Sequence, residues 1–401
     1  MSTSILSERN YLTYLSGSIF STQGIWIQRM TLGWMLWQMT HSESLLGLLA
    51  FLLFFPAIIF GPLFGVMVDR IDRRRAAVIT SIILGSISFI LATLTISKLI
   101  NEFNLLFFAL VIGIANSAYQ SIRLSFVPEL VSTENMPKAV AINAVIYNSS
   151  RFIGPVIAGY LIKYQGVSLS LFVVAACYLP LTFVLIKLRL KALEKENKKR
   201  FTFFEDIKAG IEYTLGSILI SRLLLLICIS AVLGRGLLEI LPAATEMLFQ
   251  GGVEALAWLN SAAGIGAIFA GLVLSRLSSK QLLLALKLAI ITSGFLILCF
   301  YSASNLTLGL LLIACLSFCA TVCGVTTQSL IQTSVASEFR GRVMSLWGAI
   351  NLGGGALGGL LFGFNTEFIG YGLTFMLIGS ICIIISYLAT RNLNAYQQNT
   401  N

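Results

Sequence analysis

Ionisable side chains inside otherwise apolar stretches are the residues of this sequence best suited to do chemistry. Arg29, Arg151, Arg235 and Glu239 each lie within a run of apolar residues, and Lys287 lies near the end of another. A charge kept in the hydrocarbon region of a membrane costs about 3 kcal/mol on insertion scales, so such residues mark functional positions by default. Lys287 is the exception, because we expect its long side chain to extend to the membrane surface.

The charge balance of these residues indicates the kind of substrate. Three arginines face one glutamate, and guanidinium groups favour carboxylate, phosphate and phenolate-type oxygens. We therefore predict an anionic substrate, with Trp26, Trp34 and Trp347 able to stack on a ring, although anchoring at the membrane interface is the alternative for Trp34. The residues predicted to bind it are Arg29, Arg151, Arg235, Gln28, Tyr119, Tyr147, Asn148 and Asn351.

Glu239 is the only carboxylate deep in any predicted span, and we expect it to serve proton coupling or gating together with Arg235 and Arg29. The alternative is structural, since Arg235 and Glu239 are four residues apart and could simply satisfy each other on one helix.

Twelve helices must position these residues. The sequence is 57% hydrophobic and only 11% charged, a balance foreign to soluble domains. Apolar runs of about 20 residues, each long enough to cross a bilayer, follow one another between short polar breaks. The predicted spans are 11–38, 44–67, 76–97, 104–127, 138–163, 168–188, 217–247, 255–276, 282–301, 305–328, 342–365 and 371–389.

The positions of the basic residues predict the orientation. The formal net charge of +10 would raise nucleic acid as a partner in a soluble protein, but here Lys and Arg crowd into the segment before span 1, the even-numbered loops and the tail. By the positive-inside bias both termini are cytoplasmic, as an even number of spans requires. We predict a multi-pass protein of the bacterial inner membrane that does not bind nucleic acid, and whose first span is retained rather than cleaved as a signal.

The long polar stretch after span 6 divides the chain. We predict an N-terminal six-helix half (1–189), a cytoplasmic linker (190–212) and a C-terminal six-helix half (213–401), with the basic linker either solvated or in contact with anionic lipids. Weak similarity at an offset of about 205 residues indicates that the halves are a duplication, which places a substrate site between them near the midplane. Arg29 then falls opposite Glu239 across that cavity.

A motif in loop 2–3 resembles the loop signature of the major facilitator superfamily. Gly65, Asp69, Arg70 and Arg73 occupy its glycine, aspartate and basic positions, and Asp72 stands where glycine is usual. The resemblance implies the all-α major facilitator fold. It also implies a cytoplasmic gate, in which the aspartate meets the start of span 11 and an arginine at the foot of span 4. The gate residues are Gly65, Asp69, Arg70, Arg73, Arg123, Arg340 and Arg342.

Three further stretches narrow the resemblance: 24–34 in span 1, 127–131 in loop 4–5 and 338–345 in loop 10–11. Together they resemble the enterobactin-exporter-like branch, which includes multidrug and macrolide efflux proteins. In span 5, Gly154, Pro155 and Gly159 are similar to the antiporter motif of proton-coupled exporters, although a packing kink is the alternative. The basic residue that drug exporters carry within span 4 is missing.

These observations predict a secondary active transporter that exports a small amphipathic anion, such as a siderophore, in exchange for protons. Multidrug or macrolide efflux, siderophore import and lysolipid flipping stay open as alternatives. The sequence has one histidine and lacks a nucleophile elbow, a metal box and a nucleotide-binding loop, so we expect no enzyme activity, no metal and no cofactor. We expect a monomer whose partners are its small-molecule substrate, protons and membrane lipids.

Overall fold

The computed structural model describes residues 5, 8–68, 71–188 and 203–391, and these residues form helices and turns without a strand. The helices are α1 (Arg9–Thr40), α2 (Glu43–Phe54), α3 (Pro56–Val68), α4 (Arg73–Ile96), α5 (Glu102–Phe126), α6 (Met136–Gln165), α7 (Val167–Lys187), α8 (Phe203–Gly216), α9 (Ile218–Ile229), α10 (Leu241–Phe249), α11 (Val253–Leu274), α12 (Ser279–Tyr301), α13 (Leu306–Ser334) and α14 (Ser337–Arg391).

The helices are consistent with the twelve predicted spans. Nine segments of the described chain are long and apolar enough to cross a membrane, and one of them, α14, contains two helices joined at the non-helical Gly370. The long helices α1 and α6 are not among the nine, because they are more polar than the others. These two helices carry Arg29 and Arg151. Two of the candidate site residues therefore lie on spans of lower hydropathy than the nine.

Matching turns recur in the two parts of the chain. The turn after α6 places Gly166 at φ 88° and ψ 167°, and the break in α14 places Gly370 at φ 80° and ψ 165°. Only glycine adopts this region without steric cost, so each turn requires that residue. The residue numbers differ by 204, in agreement with the offset seen in the sequence.

Helix ends repeat in the same way. Asn101 and Asn305 each accept a hydrogen bond from the backbone N–H three residues ahead and so cap α5 and α13, at 2.8 and 2.9 Å. His41 and Gln250 end α1 and α10 in the left-handed conformation. Corresponding helix ends therefore recur in the two parts of the chain.

The chain forms two compact units. Unit 1 comprises Met1–His41, Leu52–Lys195 and Gly251–Ser261, and unit 2 comprises Ser42–Phe51, Glu196–Gln250 and Ala262–Asn401. The first turns of α2 therefore belong to unit 2, and the first turns of α11 belong to unit 1. The two halves predicted from the sequence, 1–189 and 213–401, are each one continuous stretch, whereas each unit also includes a short segment from the other half.

Each unit has its own core. In unit 1, α7 packs against α1 and α4, and Tyr178 and Leu181 of α7 are fully buried there. In unit 2, apolar residues of α9, α11, α12, α13 and α14 form one buried cluster that includes Leu223, Leu286 and Val322. The helices of each core pack closely, and this packing fixes the direction in which their polar side chains point.

Two predicted spans are interrupted. Span 2 consists of α2 and α3, separated at Phe55 before Pro56, whose ring removes a backbone N–H and favours a helix start. Span 7 consists of α9, a π-turn at Ser230–Gly234, a 3₁₀-turn at Gly236–Glu239, and α10. The predicted span 217–247 therefore contains a break in its helix. Of the predicted linker, 190–202 lies outside the described residues, and 203–212 falls in α8.

Candidate functional site

Two arginines of unit 1 gather around one tryptophan. The guanidinium carbon of Arg29 lies 5.3 Å from the ring centroid of Trp26, and that of Arg151 lies 5.7 Å from it. Tyr147 meets the same ring edge-on at 5.4 Å, and Phe54 lies 4.9 Å from the Arg29 guanidinium. We call Arg29, Arg151, Trp26 and Tyr147 the arginine–tryptophan cluster. Ring faces attract cations, so Trp26 holds two positive charges on side chains from different helices.

The antiporter-like motif supports this cluster from α6. A Cβ atom on Gly154 would lie 2.6 Å from the Cβ of Trp26, so only glycine lets the two helices approach this closely. Pro155 lies inside α6 and is buried. Because proline has no N–H, the carbonyl of Arg151 lacks its usual helical donor. Gly159 approaches Ala257 in α11 in the same way, at 2.5 Å for an added Cβ.

Buried polar atoms that have no partner among the described residues also occur in unit 1. Trp26 is 8% exposed, and its indole N–H has no hydrogen-bond acceptor within the described part of the chain. The side-chain oxygens of Gln23 in α1 and Asn116 in α5 are likewise buried without a donor there. Such atoms cost free energy unless water or a ligand satisfies them, so they point to a binding region in unit 1.

In unit 2, the site residues lie where span 7 is interrupted. Arg235 follows the π-turn, and its N–H bonds the carbonyl of Ser230 at 3.0 Å. Its side chain donates to the amide oxygen of Asn351 in α14, also at 3.0 Å. π-Turns of this kind are frequent at functional sites. The break thus turns the charged side chain of Arg235 toward Asn351 in α14.

Glu239 ends the 3₁₀-turn and is half-buried against α14. A Cβ on Gly359 would lie 3.0 Å from the Cβ of Glu239 and 3.1 Å from that of Ala50. Gly236 and Gly358 meet backbone to backbone on the same interface, at 2.6 Å for an added Cβ. The glycine-rich stretch of α14 therefore serves close helix packing. The predicted juxtaposition of Arg29 and Glu239 stays a prediction.

Three predicted binding residues lie apart from these clusters. Gln28 is 2% exposed and donates to the hydroxyl of Ser88 at 2.8 Å. Tyr119 is buried and lies 3.3 Å from the hydroxyl of Ser21. Asn148 donates to the carbonyl of Ala144 one turn earlier on α6. The side chains of Gln28 and Tyr119 therefore take part in polar contacts between packed helices.

The predicted gate is described only in part. Asp69 and Arg70 lie outside the described residues, and for Gly65 only its place in α3 is described. Arg73 forms an ion pair with Glu129, which is nearly buried, and Arg123 lies half-buried in the last turn of α5. In unit 2, the Arg342 guanidinium lies 5.4 Å from the ring of Phe339, and Arg340 is exposed.

Asp72, the departure from the loop signature, has a structural role. Its side chain accepts a hydrogen bond of 3.1 Å from the backbone N–H of Arg75 and caps the start of α4. Carboxylates are preferred at this position because they satisfy a free N–H and suit the positive end of the helix dipole. The sequence could have indicated this capping role, because Asp72 directly precedes the helical run.

Two carboxylates of unit 2 that were not predicted from the sequence as functional residues accept hydrogen bonds. Glu43 is 7% exposed and accepts a hydrogen bond of 3.0 Å from the hydroxyl of Tyr371. Glu367 accepts from the hydroxyl of Ser42 at 2.7 Å and from the backbone N–H of Ser44 at 2.8 Å. These hydrogen bonds hold the start of α2 against α14. Nothing in the local sequence distinguishes Glu43 from a solvated loop residue.

Helices long and apolar enough to cross a membrane, grouped in two compact units, define the chain as a multi-pass membrane protein. The same fold occurs in solved transporters. A D-xylose–proton symporter matches with a TM-score of 0.72 at 15% identity, covering 96% of this chain and 97% of that one. A bacterial homologue of the human lysosomal transporter Spinster matches with a TM-score of 0.71 at 15% identity, covering 96% and 98%. At such identity these likenesses show the fold alone.

The chain belongs to the family described as transmembrane secretion effector, which matches residues 3–400. Among its relatives is the staphyloferrin A transporter of Staphylococcus aureus, 24% identical over 97% of this chain and 98% of that protein. The enterobactin exporter of Shigella boydii is 29% identical over 81% of this chain and 77% of that protein. The protein is thus a multi-pass membrane transporter, and the resemblance found in the sequence is confirmed.

Proposed function

We propose that this protein exports a small amphipathic anion of the siderophore type in exchange for protons across the bacterial inner membrane, with both termini cytoplasmic. It carries out no reaction on its cargo. The observation that carries the proposal is the arginine–tryptophan cluster, where two guanidinium groups and an unsatisfied indole N–H meet an aromatic surface in unit 1. The printed names of the relatives, a staphyloferrin A transporter and an enterobactin exporter, support this substrate class.

The cluster suits an anion with an apolar or aromatic body. Guanidinium groups bind carboxylate and phenolate oxygens with charge-assisted hydrogen bonds, and the buried N–H of the tryptophan adds a second type of donor. Arg29 and Arg151 are both half-buried, so a bound anion meets them with less solvent screening than at an open surface. A neutral hydrophobic drug could not form charge-assisted hydrogen bonds with these guanidinium groups.

Proton coupling is assigned to Glu239 with Arg235. The two residues flank the 3₁₀-turn that interrupts span 7, and Arg235 is positioned by Asn351. Backbone irregularity within a span is tolerated where it lines a cavity or is covered by protein, and half-helices at such breaks commonly present ion sites. A carboxylate at this break can take up and release a proton as its surroundings change during the transport cycle.

Transport measurements in reconstituted vesicles with an imposed pH gradient test the substrate class. A siderophore, a cationic drug and a lysolipid are offered in turn, and we expect pH-driven movement of the siderophore alone. Arg29→Gln and Arg151→Gln should each raise the KM by about 10- to 100-fold, the loss typical of a charge-assisted hydrogen bond. The control is Lys98→Gln, which removes an exposed positive charge outside the predicted spans. Equal transport of drug and siderophore, with both arginine variants unaffected, would refute the proposal.

A separate measurement tests the coupling residue. Glu239→Gln should abolish proton-driven accumulation while leaving downhill exchange of the substrate, because the amide keeps the size of the side chain but cannot exchange a proton. The same experiment with Glu254→Gln is the control, since that carboxylate lies in an exposed ion pair with Lys163 at the end of α6. Unchanged pH dependence in Glu239→Gln would end the assignment of Glu239 without touching the substrate proposal.

A further inference from the structure

Helix α8 is an amphipathic helix that precedes a membrane span. Phe203–Gly216 is followed directly by Ser217, which caps α9 by accepting from the N–H of Ile220. The helix begins within the stretch predicted as a linker (190–212) and extends four residues beyond it, and the proposed transport function does not involve it. The side chains of residues 208–215 fall into three stripes with different environments.

The first stripe of α8 packs against the start of α14. Gly210 is buried, and a Cβ there would lie 3.1 Å from the Cβ of Arg342. The ring of Tyr213 stacks on Phe339 with centroids 4.4 Å apart, and its hydroxyl accepts a hydrogen bond of 3.2 Å from the N–H of Ala336. Helix α8 is therefore fixed in orientation, with its opposite side turned away from α14.

The second stripe is apolar and exposed. Ile211 is 42% exposed and Leu215 is 73% exposed, and residues four apart lie on one face of a helix. The third stripe borders it and is charged, because Lys208 and Glu212 form an exposed i,i+4 ion pair. An apolar stripe beside a charged stripe is the pattern of a helix that lies in the plane of a membrane surface.

We propose that the exposed face of α8 binds the surface of the lipid bilayer, with Ile211 and Leu215 among the acyl chains and the Lys208–Glu212 pair in the headgroup region. Continuity with a membrane span favours this partner over a soluble one. The span α9 begins two residues after the end of α8, and its first residue, Ile218, is itself 56% exposed. The end of α8 is thereby held at the depth where the hydrocarbon region starts.

The consequence of this contact is mechanical. The packed stripe joins α8 to the start of α14, which contains Arg340 and Arg342, residues predicted to belong to the gate. A helix bound to the bilayer on one side and to α14 on the other restrains the start of α14 relative to the membrane surface. The restraint depends on Ile211 and Leu215 for its lipid side and on Tyr213 and Phe339 for its protein side.

Spin labelling of the full-length protein in lipid nanodiscs tests the contact. Leu215→Cys is labelled in a background that carries Cys299→Ser and Cys315→Ser, because those two native thiols are exposed. We expect collisions with oxygen, which dissolves in lipid, to exceed collisions with a water-soluble nickel chelate several-fold. Glu212→Cys, on the charged stripe of the same helix, is the matched control and should show the reverse order.

Two outcomes at Leu215 would overturn the proposal. Preferential collision with the nickel chelate would place the residue in water, and protection from both reagents would indicate a protein partner or a second copy of the chain. Hydrogen exchange gives a test without a label. The double variant Ile211→Asn/Leu215→Asn should raise exchange in the α8 peptide at least tenfold in nanodiscs, while Lys208→Gln/Glu212→Gln should leave it unchanged. Equal exchange in the two variants would also refute the bilayer contact.

Discussion

Tyr371 donates a hydrogen bond of 3.0 Å to Glu43, a carboxylate of which only 7% is exposed. The bond joins the start of α2 to the beginning of the last helix of unit 2. Backbone contacts reinforce it, because a Cβ on Gly47 or Gly363 would lie within 2.5 Å of a carbonyl oxygen across the same interface. A buried carboxylate deprived of its donor is costly, so this pair holds α2 in place as well as satisfying Glu43.

Tyr371→Phe should therefore destabilise the protein by about 1–3 kcal/mol, the cost of leaving a buried acceptor unsatisfied. For a unit of 150–250 residues this corresponds to a loss of about 2–4 °C in Tm for each kcal/mol. Thermal unfolding in a fixed detergent measures it. Tyr387→Phe, on the exposed surface of the same helix, is the control and should leave Tm unchanged. An equal Tm for both variants would show that the Tyr371–Glu43 bond contributes nothing.

The arginine–tryptophan cluster depends on a glycine, and a second prediction follows from that. Gly154→Ala places a methyl group where the Cβ of Trp26 would be 2.6 Å away, so α1 and α6 must separate or Trp26 must move. Overpacking of this kind costs about 1–3 kcal/mol and displaces both guanidinium groups. We expect a raised KM for the transported anion with a smaller change in kcat.

The control for this substitution is Gly61→Ala in the same unit, where the added Cβ meets only the hydroxyl of Ser117 at an ordinary 3.6 Å. Its KM should stay within twofold of the unmodified protein. If Gly154→Ala behaves like Gly61→Ala, then the position of Trp26 does not determine substrate affinity.

Much of this fold could be predicted from the sequence because a membrane imposes a simple rule on it. Each span needs about 20 apolar residues, and the polar breaks between them are visible without any structure. Turn chemistry is equally local: Gly166 and Gly370 mark the places where a left-handed backbone divides adjacent helices. These features depend on residues within a few positions of one another.

The interruptions of the spans could not be predicted in the same way. The π-turn before Arg235 arises where α14 crosses at Gly358 and Gly354, and that approach is a tertiary contact. Likewise, the sequence showed that Arg29 and Arg151 are costly in lipid, but not that Trp26 lies between them. Residues 122 positions apart can be brought together only by the packing of whole helices.

A third prediction concerns the bond between Arg235 and Asn351. Asn351→Leu removes the acceptor at 3.0 Å and keeps a side chain of similar size, so the Arg235 guanidinium loses a fixed orientation at the break in span 7. We expect the pH profile of transport to shift or broaden, because Arg235 is proposed to act with Glu239. Transport rates across a range of pH values provide the measurement. A profile that matches the unmodified protein would mean that Asn351 has no positioning role.

The ion pair between Arg73 and Glu129 allows a fourth prediction by charge exchange. Glu129 is nearly buried and Arg73 is largely covered, so removal of either partner leaves a charge with little water around it. Arg73→Glu and Glu129→Arg should each reduce transport strongly, since each places two like charges side by side. The double variant restores opposite charges and should recover a substantial part of the activity.

The same exchange at Lys208 and Glu212, an exposed pair with its two charged atoms 3.9 Å apart, should change little in either the single or the double variants. If the Arg73–Glu129 double variant is no better than its two single variants, the two residues act separately and their pairing does not contribute to the gate.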